Sequence, residues 1–531
     1  MRNIKILDCT LRDGGYINNW NFDSFNMNRI IKSLNESNVD IIECGYLNKF
    51  IRDKEKTIVN NIQALEERIK EFDINKDYVI MINYGEYDLN NLAQVTAESK
   101  ITGLRITFKK NQLKVMFDDV NILISKGYKV FIQPMVTLSY TDAEILQLIT
   151  VCNRFDIYGV YIVDSFGAMN SNDIRRLAYL FNHNLREGIR VGFHAHNNLQ
   201  LAYTNALEFI SMFQNRDVII DSSIFGMGRG AGNLPTELIT EHLNKNYDKE
   251  YNIEPILDII DKYINRIYSD KYWGYSISYY ISGVCNCHPN YASFLVNKNT
   301  LTIKNVQSIL KDIPEDKKVE FDKEYIEKLY IDFNSSNISN YTDLVDFKKD
   351  ITLKDIYIIA SGKRVLEGIK KINKDKNATL ISLNYIPSFV SVDYCFFSNQ
   401  KRYNEYKEKN KTIDLSKSNH KFIFTSNIKH DESDAIVVSY NELLGKVEGA
   451  KDNSIIMILN LLIKLNINNV FICGLDGYGG NANYIDENMN FSFKNSEMKL
   501  KNTEILKQIN KLRKVMEMYF ITESIFDSKG K

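Results

Sequence analysis

Short apolar segments alternate with amphipathic stretches through the first 225 residues of the chain. The amphipathic stretches repeat apolar residues at helical spacing, for example in Asn26–Asn38, Lys56–Phe72, Asp142–Phe155 and Asn172–Arg186. The apolar segments have the length and β-branched content of buried strands: Ile4–Thr10, Val39–Tyr46, Tyr78–Tyr84, Gly103–Phe108, Lys129–Met135, Gly159–Val163, Arg190–Ala195 and Val218–Ser223. Eight such alternations in about 250 residues predict a (β/α)8 TIM barrel, and a doubly wound sheet is the alternative.

A second series of strands and helices begins at about Thr352. Its strand-like segments are Ile356–Ala360, Thr379–Leu383, Val392–Phe397, Phe422–Thr425, Ala435–Val438 and Val470–Cys473. This order predicts a three-layer, Rossmann-like α/β domain over residues 352–531. Residues 271–340 are predicted to form a helical extension and a linker that runs into the polar stretch Asp332–Tyr341, which leaves residues 1–270 as the barrel domain.

Composition excludes some classes of protein. The 67 basic and 67 acidic side chains cancel, which argues against a protein held on nucleic acid or on an anionic membrane by its overall charge. No apolar run approaches the roughly 18 residues of a membrane span, and the sequence leads into a strand close to Met1 rather than into a signal peptide. The seven cysteines, mostly in apolar runs, favour reduced thiols and a cytoplasmic location.

The most specific chemistry lies where the predicted barrel strands end, which is the edge where barrel enzymes place their catalytic residues. His194 and His196 are two residues apart at the end of the seventh strand, so both imidazoles point to the same face. Asp13, in the loop after the first strand, supplies the carboxylate of a facial triad suited to a divalent cation. The alternative is a pair of solvated or core histidines, but the Arg12–Asp13 pair at another strand end favours the metal site.

Other strand ends supply candidates for substrate binding. Arg12 offers a planar guanidinium to a carboxylate or keto acid, and the alternative is a salt bridge to Glu43 or Asp164. The glycine-rich run Gly226–Gly232 after the eighth strand can bring backbone close to a ligand, but such a run is at least as often a tight turn. Two further candidates, both on the fourth strand, are Arg105 and Thr107.

Five motifs occur in order along the predicted barrel: DCTLRDGG, IIECGY, DSFGAM, HAHNN and GMGRGAGNLPTE. Together they resemble the DRE-TIM metallolyases, the superfamily of HMG-CoA lyase, over residues 1–300. The nearest branch is that of 4-hydroxy-2-oxovalerate aldolase, which DSFGAM and the segment Asn290–Leu295 resemble. The resemblance implies a divalent-metal-dependent aldolase that cleaves or forms 4-hydroxy-2-oxo acids through a pyruvate enolate.

Carried over position by position, the resemblance implies a set of ligands for Mn2+ or Mg2+: Asp13, His194, His196 and, as in some members, Asn233. It also implies that Arg12 steadies the enolate oxygen, that Ser165 holds the substrate carboxylate and that Tyr291 lines the aldehyde side. The expected partners are therefore a small-molecule 2-oxo acid and an aldehyde. We also expect a homo-oligomer.

The sequence departs from the aldolase branch at the proton-transfer group. That branch carries a histidine directly after the TLRDG run, where this chain has Gly15 and Tyr16. The groups that could replace it are a metal-bound water or the side chains of Tyr16, Tyr291 and His288. Two alternative functions stay open: acyl-CoA Claisen condensation or lysis within the same superfamily, and a non-catalytic barrel that serves as a scaffold for the second domain.

The second domain carries fewer signals. The stretch Asn453–Tyr478 combines an apolar helix, a strand and the loop Gly474–Gly477. It faintly resembles the Rossmann-like fold of bacterial sialyltransferases and of the methanopterin-pyrophosphokinase-like family. That resemblance implies a nucleotide or nucleotide-sugar in the crevice at the strand ends, with Asp476 and Ser454 as candidate contacts. A turn aspartate and a helix-capping serine are the alternative.

Overall fold

The computed structural model describes residues 3–50, 55–72, 76–335, 341–372, 377–409, 420–479, 483–486, 489 and 495–527. The chain divides into two compact units, Met1–Ser293 with Ile313–Phe321, and Phe294–Asp312 with Asp322–Lys531. The segment predicted as a helical extension, 271–340, contributes to both units. In the predicted polar linker, residues 332–335 end the helix Lys323–Ser335, and residues 336–340 lie outside the described residues.

Eight parallel strands of the first unit close into a barrel. In chain order they are β1 Ile4–Asp8, β2 Ile41–Leu47, β3 Asp77–Asn83, β4 Ile101–Phe108, β5 Lys129–Pro134, β6 Gly159–Asp164, β7 Arg190–Ala195 and β8 Val218–Ser222. Each strand pairs with its neighbours in sequence, and β1 pairs with both β8 and β2, for example at Ile6↔Ile220 and Leu7↔Ile41. This closure confirms the predicted (β/α)8 barrel and excludes the doubly wound alternative for this unit.

Helices connect the barrel strands and continue beyond them in the sequence. None of the described helices is both long enough and apolar enough to cross a membrane. Their bounds are Thr10–Asp13, Gly15–Asn18, Ser24–Glu36, Ile62–Glu66, Leu113–Ser125, Asp142–Cys152, Ser171–Asn184, Ala202–Met212, Thr236–Asn246, Glu254–Ile259, Asn265–Asp270, Ile277–Val284, Pro289–Asn297, Ile303–Lys311, Glu315–Lys318 and Lys323–Ser335.

The helix predicted over Lys56–Phe72 is wrong for most of its length. Ile58–Val59 instead form a two-residue strand against β2, and only Ile62–Glu66 is α-helical. The β-branched residues favour extended backbone because their side chains lose rotamer freedom in a helix. The side chain of Asn61 then caps the short helix by accepting the Gln63 N–H at 2.8 Å.

Successive side chains of the barrel strands point to opposite faces and so form two apolar layers. On β1, Ile4 and Ile6 pack in the layer shared with the helices, and Leu7 packs in the inner layer. The inner layer consists of Leu7, Cys9, Ile41, Val79, Phe131, Tyr161, Val163 and Ile219. Polar side chains share this interior and are also buried: Glu43, Arg105, His194 and Asp221. The barrel therefore encloses a charged cluster within an otherwise apolar interior.

A seven-stranded parallel sheet forms the core of the second unit, which confirms the predicted α/β class. Its strands are β9 Asp355–Ile359, β10 Ala378–Leu383, β11 Tyr394–Phe397, β12 Lys421–Thr425, β13 Ile436–Val438, β14 Asn469–Cys473 and β15 Glu517–Phe520. The helices that follow residue 341 are Val345–Ile351, Val365–Ile369, Gln400–Lys409, Ser454–Lys464 and Asn495–Leu512. The strands lie in the order β13-β12-β11-β10-β9-β14-β15. Strands that follow β9 in the chain are added first on one side of it and then, from β14, on the other, and open α/β sheets form a crevice at such a position.

Candidate metal centre in the barrel

Three side chains converge at the carboxyl ends of the barrel strands. Asp13 ends the short helix Thr10–Asp13 that follows β1, His194 lies on β7, and His196 comes directly after β7. The Asp13 Oδ2 atom lies 3.2 Å from His194 Nε2 and 3.7 Å from His196 Nε2, and all three residues are buried. The structure therefore brings together the three side chains that the sequence predicted as metal ligands.

The polar atoms of this cluster fit a divalent cation. When His194 Nδ1 donates to Asp221 Oδ2, 3.0 Å away, the lone pair of its Nε2 faces Asp13. Two lone pairs then face each other, which is unfavourable unless a proton or a metal cation lies between them. Asp13 Oδ2 and Asn233 Oδ1 are buried and accept no hydrogen bond from the described residues. Two imidazole nitrogens with carboxylate and amide oxygens form a ligand set that suits a divalent metal cation.

The glycine-rich loop after β8 positions Asn233. A backbone bridge pairs His196 with Asn233, and the Asn197 N–H donates to the Gly232 carbonyl oxygen at 2.8 Å. Gly232 has a φ of +89°, and a Cβ atom there would lie 2.2 Å from the carbonyl oxygen of Gly226. Only glycine fits this conformation and this close approach. The run therefore forms the tight turn that sequence reasoning allowed, and this turn brings Asn233 beside β7.

Cys9, the second residue of the DCTLRDGG motif, joins the cluster although no role was assigned to it from the sequence. Its Sγ atom forms a group with one ligand atom each of Asp13 and His194, all within 4.8 Å of one another. The thiol donates to the Ser222 carbonyl oxygen at 3.2 Å, and burial raises its pKa well above the ordinary value. Its position in the sequence could have indicated this placement, because Cys9 lies two residues after Leu7 and therefore faces the same interior of the barrel.

Arg12 pairs with two carboxylates. Its Nε donates to Glu43 Oε2 at 2.9 Å, and its Nη1 lies 3.0 Å from Asp13 Oδ2. The salt bridge to Glu43, which was the alternative interpretation of Arg12, is thus present together with the contact to Asp13. Burial alone raises the pKa of Asp13, but the charge of Arg12 outweighs that effect and holds the pKa well below its ordinary value. Asp13 is therefore ionised, as a metal ligand must be.

A second arginine lies inside the barrel. Arg105 is fully buried, and its guanidinium donates to Glu43 Oε2 at 2.8 Å and to Asp221. Because Asp221 also contacts His194, Arg105 is linked to the metal cluster through a carboxylate. The structure encloses Arg105 in this network, whereas Thr107, on the same face of β4, is half-buried. Asp221 was not identified from the sequence. Its presence as an acidic residue near the end of an otherwise apolar strand could have indicated a role in the site.

Ser165 and Arg229 contact each other beside the cluster. Ser165 Oγ accepts the Val136 N–H at 2.9 Å, and Arg229 Nη2 donates to the Ser165 carbonyl oxygen at 3.2 Å. The backbone N–H of Arg229 lies 3.4 Å from Asp13 Oδ1. Its guanidinium forms no ion pair within the described residues and lies 5.5 Å from the centre of the Tyr16 ring. Sequence reasoning missed Arg229 because it lies inside the glycine run.

The three candidate proton-transfer side chains differ in placement. Tyr16 is exposed, close to Arg229. Tyr291 is fully buried, and its hydroxyl donates to the Glu320 carbonyl oxygen at 2.7 Å, so this side chain is enclosed by protein. Burial and the charge of Arg229 lower the pKa of the half-buried His288 to about 3, which leaves its imidazole neutral near pH 7. Tyr16 is thus the most accessible of the three.

The two histidines of the cluster have opposite pKa shifts. Burial alone lowers the pKa of His194, but Asp13 and Asp221 outweigh that effect and raise it above the ordinary value. Burial lowers the pKa of His196 to about 3, although the charge of Asp13 opposes the shift. His196 is therefore neutral near pH 7, which is the form that binds a metal ion.

Comparisons with known proteins found similarity over about half of the chain. The family model of the HMGL-like proteins matches residues 3–262. A 4-hydroxy-2-oxovalerate aldolase from Bacillus cereus is 24% identical over 267 residues, 49% of this chain and 76% of that protein. An oxaloacetate decarboxylase from Mycobacterium tuberculosis is 27% identical over 245 residues, 45% of this chain and 70% of that protein. The N-terminal domain of a proposed aldolase from Bacteroides vulgatus is similar in structure, with a TM-score of 0.50 and 27% identity, covering 55% of this chain and 96% of that domain.

Proposed function

We propose that the protein is a divalent-metal-dependent aldolase, because residues 3–262 match the family model of the HMGL-like proteins. It is a carbon–carbon lyase that cleaves or forms 4-hydroxy-2-oxo acids through a pyruvate enolate. The relative named 4-hydroxy-2-oxovalerate aldolase supports this reaction class. The relative named oxaloacetate decarboxylase supports a 2-oxo acid as the substrate type. The resemblance of residues 352–531 to nucleotide-binding folds stays a prediction.

The observation that carries the proposal is the convergence of Asp13, His194 and His196 in one buried cluster. These residues, with Asn233, are proposed to hold Mn2+ or Mg2+. When bound, such a cation supplies Lewis-acid stabilisation for negative charge that develops on the oxygen of a 2-oxo acid. Asp221 orients His194 through its Nδ1 and so directs Nε2 toward Asp13.

Arg12 and Arg229 are proposed to bind the anionic substrate. Glu43 holds Arg12 by its Nε, which leaves guanidinium N–H groups beside Asp13 to stabilise an enolate oxygen. Arg229 has no ion-pair partner among the described residues and contacts Ser165, so the two are placed to anchor the substrate carboxylate. Tyr16, exposed beside Arg229, is the proposed proton-transfer residue. Arg105 acts only through its carboxylate partners, as a positioning residue.

The decisive measurement is pyruvate release from 4-hydroxy-2-oxopentanoate by the full chain. We expect turnover with Mn2+ or Mg2+, none after chelation, and only background release by Asp13→Asn, because that change removes the single carboxylate of the proposed ligand set. Asp156→Asn is the matched control, since Asp156 is an exposed residue outside the cluster. Its activity should equal that of the parent chain.

Two other outcomes separate the alternatives. Thiol release from acetyl-CoA and a 2-oxo acid, without pyruvate release, would establish Claisen chemistry instead. An absence of turnover on all these substrates, combined with no bound metal after purification in its presence, would contradict the proposal and leave the scaffold interpretation.

A further inference from the structure

The second unit contains a cavity of about 400 Å3 at the carboxyl ends of its parallel strands. Its walls include the residues that follow β9, β11 and β14 and those at the end of β10: Ala360–Gly362, Ser398–Asn399, Gly474–Tyr478 and Leu383–Asn384. Every lining residue falls within 294–312 or 322–531, so the cavity belongs to this unit alone. It lies where the strand order reverses between β9 and β14, the position at which open α/β sheets bind ligands.

Several polar atoms in the wall lack a hydrogen-bond partner among the described residues. Ser361 and Ser398 are 7% and 5% exposed, and their hydroxyl groups form no hydrogen bond with the described residues. Asp476 accepts the Arg364 N–H with one oxygen at 2.9 Å, whereas its other oxygen is buried without a partner. A buried polar group without a partner costs free energy. These three side chains indicate a ligand that carries hydroxyl groups.

The cavity also favours a negatively charged group at one place. The helix Ser454–Lys464 begins at the wall, and its first residues line the cavity. A helix N-terminus carries partial positive charge and free N–H groups, which suit a phosphate. Four cationic side chains share the lining with three carboxylates: Lys298, Lys323, Arg402 and Lys501 against Asp452, Asp476 and Glu504. Lys298, Lys323 and Arg402 each pair with a glutamate outside the lining, so the attraction for an anion comes from the helix N-terminus itself.

Aromatic side chains complete the wall. Phe294, Tyr478, Tyr484 and Phe526 all line the cavity. Aromatic faces bind planar bases by stacking with little dependence on base identity. A ligand that uses all three features has a phosphate, a hydroxylated sugar and a flat aromatic ring.

We propose that this cavity binds a nucleoside phosphate, with the phosphate at the N-terminus of the helix Ser454–Lys464 and the sugar hydroxyls near Ser361 and Asp476. The site is separate from the metal cluster of the barrel and does not depend on the reaction proposed there. The alternative source of the same chemistry is a sugar phosphate, which has no base.

Calorimetric titration of the full chain tests the proposal. The probes are ADP, GDP, CDP and UDP, their nucleosides, and ribose 5-phosphate. We expect at least one diphosphate to bind, at least tenfold more tightly than both its nucleoside and ribose 5-phosphate. Ser454→Glu places a carboxylate in the first helical turn, where it stabilises the helix but repels a phosphate. We expect this variant to bind the same diphosphate at least tenfold more weakly.

Ser171→Glu is the matched control, because Ser171 also follows a capping asparagine at the start of a helix, in the barrel unit. Its affinity should equal that of the parent chain. Ser361→Leu fills the cavity from another wall and should abolish binding. The proposal is overturned if no diphosphate binds at millimolar concentration, if ribose 5-phosphate binds as tightly as every diphosphate, or if folded Ser454→Glu and Ser361→Leu retain the parent affinity.

Discussion

Asp221 links the candidate metal cluster to the buried arginine of the barrel. Its Oδ2 lies 3.0 Å from His194 Nδ1 and also accepts from Arg105. Asp221→Asn keeps the size of the side chain but removes its charge, so the orientation and tautomer of His194 are no longer fixed. We expect affinity for Mn2+ to fall by about 10–100-fold, the usual effect of losing such a partner. Calorimetric titration of the full chain with Mn2+ measures this change.

The same substitution also tests the buried charge network. Among the described residues, Arg105 would keep Glu43 as its only charged partner, so we expect the free energy of unfolding to fall by about 3 kcal/mol. Asp156→Asn again serves as the exposed control and should change neither quantity. An unchanged Mn2+ affinity in a folded Asp221→Asn chain would show that this carboxylate does not position the histidine.

At the scale of residues, the sequence predicts side chains that are a fixed number of positions apart better than it predicts the distant residues that contact them. The two-residue spacing of His194 and His196 forces a common face on any strand, and the structure shows both buried beside Asp13. The partners Asp221 and Arg229 could not be predicted in the same way. Their contacts with Arg105, Asp13 and Ser165 join residues at least 64 positions apart in sequence, and no local pattern encodes such contacts.

Strand β1 ends in a carboxyl group whose proton should affect stability. Burial raises the pKa of Asp8 to about 6 from an ordinary value of 3.8, although hydrogen bonds from Thr236 and Thr10 oppose the shift. The native state thus holds this proton more tightly than the unfolded state does. The resulting stabilisation is complete below pH 3.8 and is lost as the pH rises through about 6. The change corresponds to about 3 kcal/mol, at about 1.4 kcal/mol per pKa unit.

Urea unfolding of the parent chain and of Asp8→Asn at a series of pH values measures this contribution. The asparagine does not titrate, so the difference in unfolding free energy between the two chains should shift by about 3 kcal/mol between about pH 4 and about pH 7, against the parent at the higher pH. Parallel pH curves for the two chains would contradict the raised pKa.

At the scale of elements, periodicity predicted the barrel strands but not every helix. All eight predicted segments overlap strands of the structure, because buried strands are short apolar runs with few alternatives. The helix predicted over Lys56–Phe72 was wrong because apolar spacing alone favours a helix there, whereas the backbone preferences of individual residues oppose it. The β-branched pair Ile58–Val59 and the capping Asn61 determine the backbone there.

At the scale of the whole molecule, counting elements is enough to predict the barrel but not the cavity of the second unit. Eight regular strand–helix alternations leave few other topologies. The cavity depends on β14 pairing with β9, more than 100 residues earlier in the chain. No local pattern encodes that pairing, because it results from competition among all strands of the sheet. Motifs therefore indicate the barrel site, whereas in the second unit the sequence indicated only Asp476 and Ser454, which line the cavity, and the strand order brings the other walls together.

Metal binding should therefore stabilise the first unit alone. The proposed ligands lie after β1, on or after β7 and after β8, and a cation that binds only the native cluster stabilises the native state by about 2.7 kcal/mol at 100 times its Kd. Hydrogen exchange of the full chain with Mn2+ should slow in peptides that cover β1 and β7, relative to the chelated chain, and stay unchanged in peptides that cover β9 and β14. Asp13→Asn should lose this protection. Protection that persists in the variant, or that spreads equally over both units, would contradict a metal centre formed by Asp13, His194 and His196.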